Sequence, residues 1–247
     1  MYNIEYSALK YYNNIISDEC LYIGMLFHNL TTGERVFKHI SNFKRFRMFD
    51  DEVDVDFVKS YLNGIKQQVE RNILNYQDDF SISDYTSIFV NEFRFTKAIS
   101  IEVAEDEDYV DKFTKMYLKF DFNKNQRLSA VEEKKYIKKI LASSNVEFSE
   151  PKISGIYDEN VTFDYVIGDV AIKLFSFKQK KAAKLVPAAK QWAFSAAELK
   201  DKYKIVFLYV DDNDDMSLFK PVMGILSENA IVYKLQDGLD YVLKAVS

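Results

Sequence analysis

Residues 204–210, KIVFLYV, carry six consecutive apolar side chains between the charged stretches AELKDKY and DDNDD. Successive side chains of a strand point to opposite faces, so a run that is apolar at every position needs cover on both. Such a strand belongs in the middle of a sheet, with helices above and below, and the flanking sequence must supply its neighbours. DDNDD, which follows it, reads as a solvated loop.

The neighbours are recognisable. VTFDYVI (161–167) and VAIKLFSF (170–177) are two apolar runs joined by Gly168-Asp169, a hairpin signature. Leu185, Ala189, Trp192, Ala196 and Leu199 then recur at helical spacing, with Pro187 implying either a kink or a regular helix that begins at that proline. Past the central run, the pattern predicts a helix around Leu218–Ser227, a strand at Ala230–Tyr233 and a helix from Asp237 to Ala245.

The first half has a different rhythm. IEYSALKYY, LYIGMLFHN and RVFKHI are strand-like, with Thr32-Gly33 as a turn before the third, which predicts an antiparallel meander. After the polar link SNFKRFRMFDDE, Val58, Leu62, Ile65, Val69 and Ile73 define an amphipathic helix laid across the meander. Residues 85–103 are β-branched and aromatic, enough for one or two more strands. Tyr109, Phe113, Met116 and Phe120 mark another helix, and Val131, Ile137, Ile140 and Leu141 the apolar side of a third. The segment ASSNVEFSEPK, with Ser143, Ser144, Asn145 and Pro151, is the best linker. The chain is therefore expected to be α/β: an α+β amino-terminal module over residues 1–145 and a mixed-sheet α/β domain over residues 152–247.

Composition narrows the function classes. At 247 residues and 48% hydrophobic, the chain can bury one large core or two small ones. A net charge of −5 disfavours broad, nonspecific binding to a phosphate backbone. The single Cys20 has no internal partner for a disulfide, and no charged segment followed by an apolar one opens the sequence, so a reducing cytoplasm is expected. No apolar stretch approaches the roughly 18 residues that span a bilayer. His28 and His39 are the only imidazoles and stand apart, which leaves zinc sites and Ser/His or Cys/His nucleophiles poorly supplied. The bias toward Lys, Asn, Ile and Tyr is that of an AT-rich coding genome, such as a low-GC bacterium or its phage.

Asp164 in VTFDYVI, followed after a turn by Lys173 in VAIKLFSF, a helix and a central strand, resembles the core of the PD-(D/E)xK restriction-type nucleases. The resemblance covers about 50 residues by this count of elements. It implies a restriction-endonuclease-like carboxy-terminal domain, with Asp164 and Lys173 in the family's acid and lysine positions. The acid that the family carries two residues before its lysine is here Ala171. Active members use both carboxylates to hold Mg or Mn, which activates water, so a methyl group in place of one removes most metal affinity. Strand alternation puts Asp169, Ala171 and Lys173 on one face, which makes Asp169 the relocated ligand if the site is active; Asp158 and Glu159 are further candidates.

Two other stretches carry chemistry. DFNKNQRLSAVE matches calcium-loop spacing at Asp121, Asn123, Asn125, Ser129 and Glu132, with Leu128 in the usual apolar place. It has Gln126 where the loop's sharp turn wants a glycine, and the competing reading is a polar connection in which these residues cap and turn. NFKRFRMF interleaves Lys44, Arg45 and Arg47 with Phe43, Phe46 and Phe49, a mixture able to grip phosphates and stack bases. The acidic DDEVDVD that follows would repel a phosphate backbone, and favours cations paired with Asp50, Asp51 and Glu52 over packed phenylalanines.

The phrases YSALKYYNN, DECLYIGMLFHN and NFKRFRMFDDE, with FDYVIGDVAIKLFSF and AKQWAFSAAELKDKY, resemble a poorly characterised bacterial and phage-associated family with a small amino-terminal α/β module. That resemblance implies the company of mobile elements and the conflict systems around them. Two functions are expected to compete. One is a non-catalytic interaction protein of a phage or mobile element, without a cofactor, that binds a protein partner such as a defence-system component. The other is a metal-dependent nuclease using Asp164, Lys173 and Asp169 with Mg or Mn.

Overall fold

Strand pairing in the computed structural model follows the apolar alternation of the sequence and gives an α/β fold; the structure describes residues 1–14, 19–71, 80–143, 152–157, 161–177, 181–210 and 217–245. The chain divides into two compact units, Met1–Ser144 and Asn145–Ser247. Residues 144–151 of the expected linker, Ile73 of the expected helix and the DDNDD loop lie outside the described residues.

In the first unit β1 (Tyr2–Tyr11), β2 (Leu21–Asn29) and β3 (Arg35–His39) form the antiparallel meander. After α1 (Lys44–Phe49), α2 (Val55–Arg71) and α3 (Ile82–Thr86), two short strands return to β1. β4 (Phe93–Phe95) pairs with its Leu9–Tyr11 end and β5 (Ile99–Val103) with its Tyr2–Tyr6 end, so β1 is central. Both faces of the sheet are covered. Val55, Val58, Leu62, Ile65 and Val69 give α2 a buried stripe, and Phe46 of α1 packs on Tyr11 with ring centres 4.7 Å apart. On the other face, Phe113 of α4 (Tyr109–Tyr117) meets Tyr6 at 4.7 Å and Tyr136 of α5 (Ala130–Ser143) at 5.2 Å.

The strands expected within residues 85–103 are β4 and β5. Three local expectations are corrected. The polar link contains the helix α1, because Phe43 and Phe46, three residues apart, are both buried and a helical turn brings them to one side. Phe120 falls in a 3-10 turn, Lys119–Asp121, beyond the end of α4. Val131 is 78% exposed, while Ile137, Ile140 and Leu141 are buried as expected.

The second unit opens with a two-stranded pair, β6 (Lys152–Ile153) and β7 (Val161–Thr162). Its main sheet has the order β11-β10-β9-β8, with β8 (Tyr165–Ile167), β9 (Val170–Ser176), β10 (Lys204–Val210) and β11 (Ile231–Lys234). β9, β10 and β11 are parallel and β8 is antiparallel, so the apolar run is the interior strand β10. Ala171, Ile205 and Phe207 share a buried cluster with Leu185, Ala189 and Leu199 of α6 (Ala182–Leu199) and Val222 of α7 (Lys220–Leu226). Leu208 points the other way, against α8 (Leu235–Ala245), where a Cβ on Gly238 would come within 2.0 Å of its Cδ2. Pro187 lies inside α6, which begins at Ala182 rather than at the proline.

A strongly perturbed carboxylate lies between β5 and α4. Glu107 is 8% exposed at its side chain and accepts from the Tyr136 hydroxyl and the Lys139 ammonium, with Lys112 at 3.7 Å. Burial alone would raise its pKa, but the hydrogen bonds from Lys139 and Tyr136 and the charges of Lys139 and Lys112 outweigh it and hold the group at about 2. A carboxyl depressed on folding stabilises the native state fully above its ordinary range near pH 4.5, and that contribution is lost as pH falls toward 2. Glu107→Gln should cost about 2 kcal/mol at neutral pH and flatten the acid limb of stability between pH 4.5 and 2, as read by urea unfolding across that window.

Candidate functional site

The hairpin turn fixes the geometry of the acid and the lysine. Gly168 takes φ +56°, a left-handed conformation that a glycine adopts without strain, and closes β8 onto β9 in the register Tyr165↔Ile172. One step further along the pairing, Asp164 stands opposite Lys173, and its own N–H donates to the Ile172 carbonyl at 3.0 Å. The Asp164 carboxylate accepts the Leu174 N–H at 2.9 Å and lies 3.2 Å from the Lys173 ammonium. Lys173 also donates to the Thr162 carbonyl at 3.1 Å and rests 4.6 Å from the centre of the Trp192 ring.

The acid and the lysine are thus joined to each other and to the backbone. Their side chains are 14% and 21% exposed, and the Trp192 ring, itself against Phe163 at 5.3 Å, roofs the ammonium. Ala171 is fully buried in the cluster under α6. Asp169 lies in the exposed turn, where its carbonyl accepts the Lys204 N–H at 2.7 Å. Four residues of strand separate it from Lys173, about 13 Å at 3.3 Å per residue. The expected placement of Asp169 beside Asp164 is therefore corrected: a turn residue at the far end of β9 cannot complete a shared coordination sphere. Asp158 and Glu159 lie outside the described residues. Among the described residues no group of three His, Cys, Asp or Glu side chains is placed to hold a metal. Asp164 is the one carboxylate described at the pair, and its Oδ2 is shared between the Lys173 ammonium and the Leu174 amide.

The calcium-like loop is dismantled in the same way. Asp121 turns to the segment before α1 and accepts from Ser41 N–H and Oγ and from Asn42 N–H, at 2.6–3.0 Å. Asn123 and Gln126 close a right-handed 3-10 turn on each other, the Asn123 N–H donating to Gln126 Oε1 at 3.2 Å. Asn125 is exposed. Glu132 folds back on Ser129, accepting its N–H at 2.9 Å and its hydroxyl at 2.7 Å, while the Glu132 N–H donates to Ser129 Oγ at 3.3 Å. This is the reciprocal capping box at the start of α5. The ligand set of the sequence pattern does not converge on one point.

In the basic-aromatic stretch two of the three rings are unavailable for stacking. Phe43 and Phe46 are buried, and Phe49 packs edge-on against Tyr11. The Arg45 guanidinium lies 3.9 Å from the centre of the Phe120 ring, which Arg127 also approaches at 5.1 Å, so its charge is engaged in an intramolecular cation–π contact. Lys44 and Arg47 are exposed. Asp50, expected to pair with these cations, instead accepts the Tyr11 hydroxyl at 2.6 Å and the Glu52 and Val53 N–H groups. Burial, then the hydrogen bond to Asp50, push the Tyr11 hydroxyl well above its ordinary range.

With this geometry in hand, comparison with known proteins adds no family: no family model, no curated protein and no solved structure matches the chain. Trp192 and the Thr162 carbonyl are the members of the Asp164–Lys173 site that sequence reasoning missed. Trp192 is recognisable as part of a helical face, but nothing local tells which strand residue it covers.

Ala171→Glu should lower stability by at least about 3 kcal/mol in chemical unfolding, because it buries a carboxylate in an apolar cluster. A stable variant that gained magnesium affinity would show that the position opens onto a coordination site. Glu132→Ala should cost about 1 kcal/mol through loss of the cap, by the same amount in calcium and in chelator. Thermal unfolding with and without calcium checks this, and a calcium-dependent difference would restore the loop as an ion site.

Proposed function

We propose that this chain is a non-catalytic interaction protein of a phage or mobile element, built on a nuclease-like scaffold and acting through a protein partner such as a component of a defence system. The observation that carries the reading is the closed pair. Asp164, the one carboxylate in the motif's acid position, is held by the Leu174 amide and Lys173, and the second acid's position is the buried Ala171. A two-oxygen grip on a divalent cation and a lysine directed at a scissile phosphate both require these groups to be available to a ligand. Net charge supports the same reading, since −5 overall works against recruitment of a polyanion. Among the described residues no helix is long and apolar enough to cross a membrane.

The test is cleavage. Incubated with single- and double-stranded DNA and with RNA, in magnesium and in manganese, the purified chain should release no product above a no-metal control. Metal-dependent cleavage that vanishes in Asp164→Ala would overturn the proposal and establish the nuclease. In the non-catalytic reading the same substitution acts on stability alone, leaving the Leu174 amide and the Lys173 ammonium short of an acceptor at a cost of about 1–2 kcal/mol.

A further inference from the structure

The first unit carries an apolar surface whose surroundings define what can cover it. Phe57, on the outer side of α2, is 59% exposed and stacks on Tyr61 with ring centres 6.2 Å apart. Tyr61 in turn meets Phe93 of β4 at 4.5 Å and Phe89 at 6.5 Å. Phe89 is anchored from beneath by Phe95 at 4.9 Å and Tyr85 at 5.6 Å. Its chain neighbours Ile88 and Val90 are 72% and 66% exposed. The rings form one connected set, with Ile88 and Val90 exposed on either side of Phe89 in the chain, and clustered apolar surface of this kind marks interaction sites. The patch reaches the edge of the sheet, because β4 is the end of the strand order and pairs with β1 on one side only.

Charge around the patch is one-sided. Residues 47–57, RMFDDEVDVDF, hold five carboxylates and one cation and lead directly into Phe57, and Met48 in the same stretch is 86% exposed. Glu92 precedes β4, and its charge is felt by both Tyr61 and Tyr11. Among the described residues Asp51, Glu52, Asp54 and Glu92 have no ion-pair partner. Of the neighbouring cations, Lys59 pairs with Asp56 at 2.9 Å on the surface of α2, Arg94 donates to the Asn91 carbonyl at 2.6 Å, and Arg47 is exposed and acts on Asp56. An occupant must therefore bring apolar side chains for the rings and positive charge for the rim; a phosphate backbone or an anionic membrane would meet the wrong sign.

We infer that the Phe57–Tyr61–Phe89 surface docks a cationic, apolar segment of a partner protein, with Phe57, Ile88 and Val90 as the apolar anchors and Glu92 and the Asp51–Asp54 loop as the electrostatic rim. This rests on the non-catalytic reading and gives the partner its chemistry. Phe57 is an exposed ring on a helix and stacks on Tyr61, which leaves it little rotamer freedom to lose on binding, while Ile88 and Val90 lie exposed in the segment after α3.

The probe is a fluorescent synthetic peptide alternating Lys and Leu, titrated with the full chain by anisotropy. The controls are a peptide with Glu for Lys and one with Ser for Leu. The Lys/Leu peptide should bind at least tenfold more tightly than either control, and raised salt should weaken it. The double variant Phe57→Ser/Ile88→Ser, at exposed positions, should lose at least tenfold in affinity while keeping its unfolding midpoint. Glu92→Lys should lose affinity more steeply at low salt than at high salt. Phe194→Ser, which removes a 58% exposed ring of the second unit, should change nothing. Equal binding of the Glu/Leu peptide, no binding of the Lys/Leu peptide, or a loss in Phe194→Ser equal to that of the double variant would overturn the assignment. So would a chain dimer in sedimentation that the double variant dissolves, which would give the surface to a second copy. Cleavage through Asp164 would remove the non-catalytic reading without altering peptide binding, because the substitutions lie in different units.

Discussion

Cover on both faces of β10 is the constraint from which the second unit follows. Six apolar side chains in succession cannot face water, so β9 and β11 flank the strand while α6 and α7 lie on one face and α8 on the other. Parallel neighbours need helical crossovers, and the chain supplies α6 between β9 and β10 and α7 between β10 and β11. The small side chains Ala171, Ala189 and Ala196 let α6 approach the sheet closely. A carboxylate at position 171 and a tightly seated α6 are alternatives, and this sequence has the second.

That choice bears on the hairpin pair. Without a second acid to share a cation, Asp164 beside Lys173 would be an isolated charge near an apolar helix, and each group would have to find another partner or neutralise. The structure meets that requirement with an amide, a carbonyl and a ring face arranged around the pair. At 14% and 21% exposure the ion pair itself adds at most about 1 kcal/mol after solvent screening. Its larger effect is to give the Leu174 amide an acceptor and the Lys173 ammonium two, across β8 and β9. Asp164 and Lys173 thus make a coherent structural motif in the absence of any reaction.

Legibility in the sequence tracked the range of the interaction. Period-two runs predicted the meander and the hairpin, and the stripe from Val58 to Val69 predicted α2, because each signal is contained within one element. Gly168 was readable because positive φ is a property of a single residue. Alternatives stayed open where the deciding partner is distant in sequence. Asp121 looked like the first ligand of a loop, yet its acceptors' partners are Ser41 and Asn42, 80 and 79 residues away. Arg45 looked available to a phosphate, yet Phe120 lies under it. The polar link became α1 because Phe43 and Phe46 found core to enter, and spacing alone could not say that core was within reach.

Both units pair their buried carboxylates with cations. In the second, Asp164 and Lys173 neutralise each other across a hairpin. In the first, Glu107 is neutralised between α4 and α5 by Lys139 and Lys112, whereas among the described residues the carboxylates of the Asp51–Asp54 loop and Glu92 have no ion-pair partner. Leaving like charges together around an apolar surface raises the free energy of the unbound protein, by self-repulsion that water and salt only partly screen. A cationic partner relieves that repulsion as it covers the rings, so the same carboxylates that disfavour nucleic acid at Lys44, Arg45 and Arg47 favour a basic protein segment beside Phe57. Exclusion of one class of partner and selection of another follow from a single arrangement of charge.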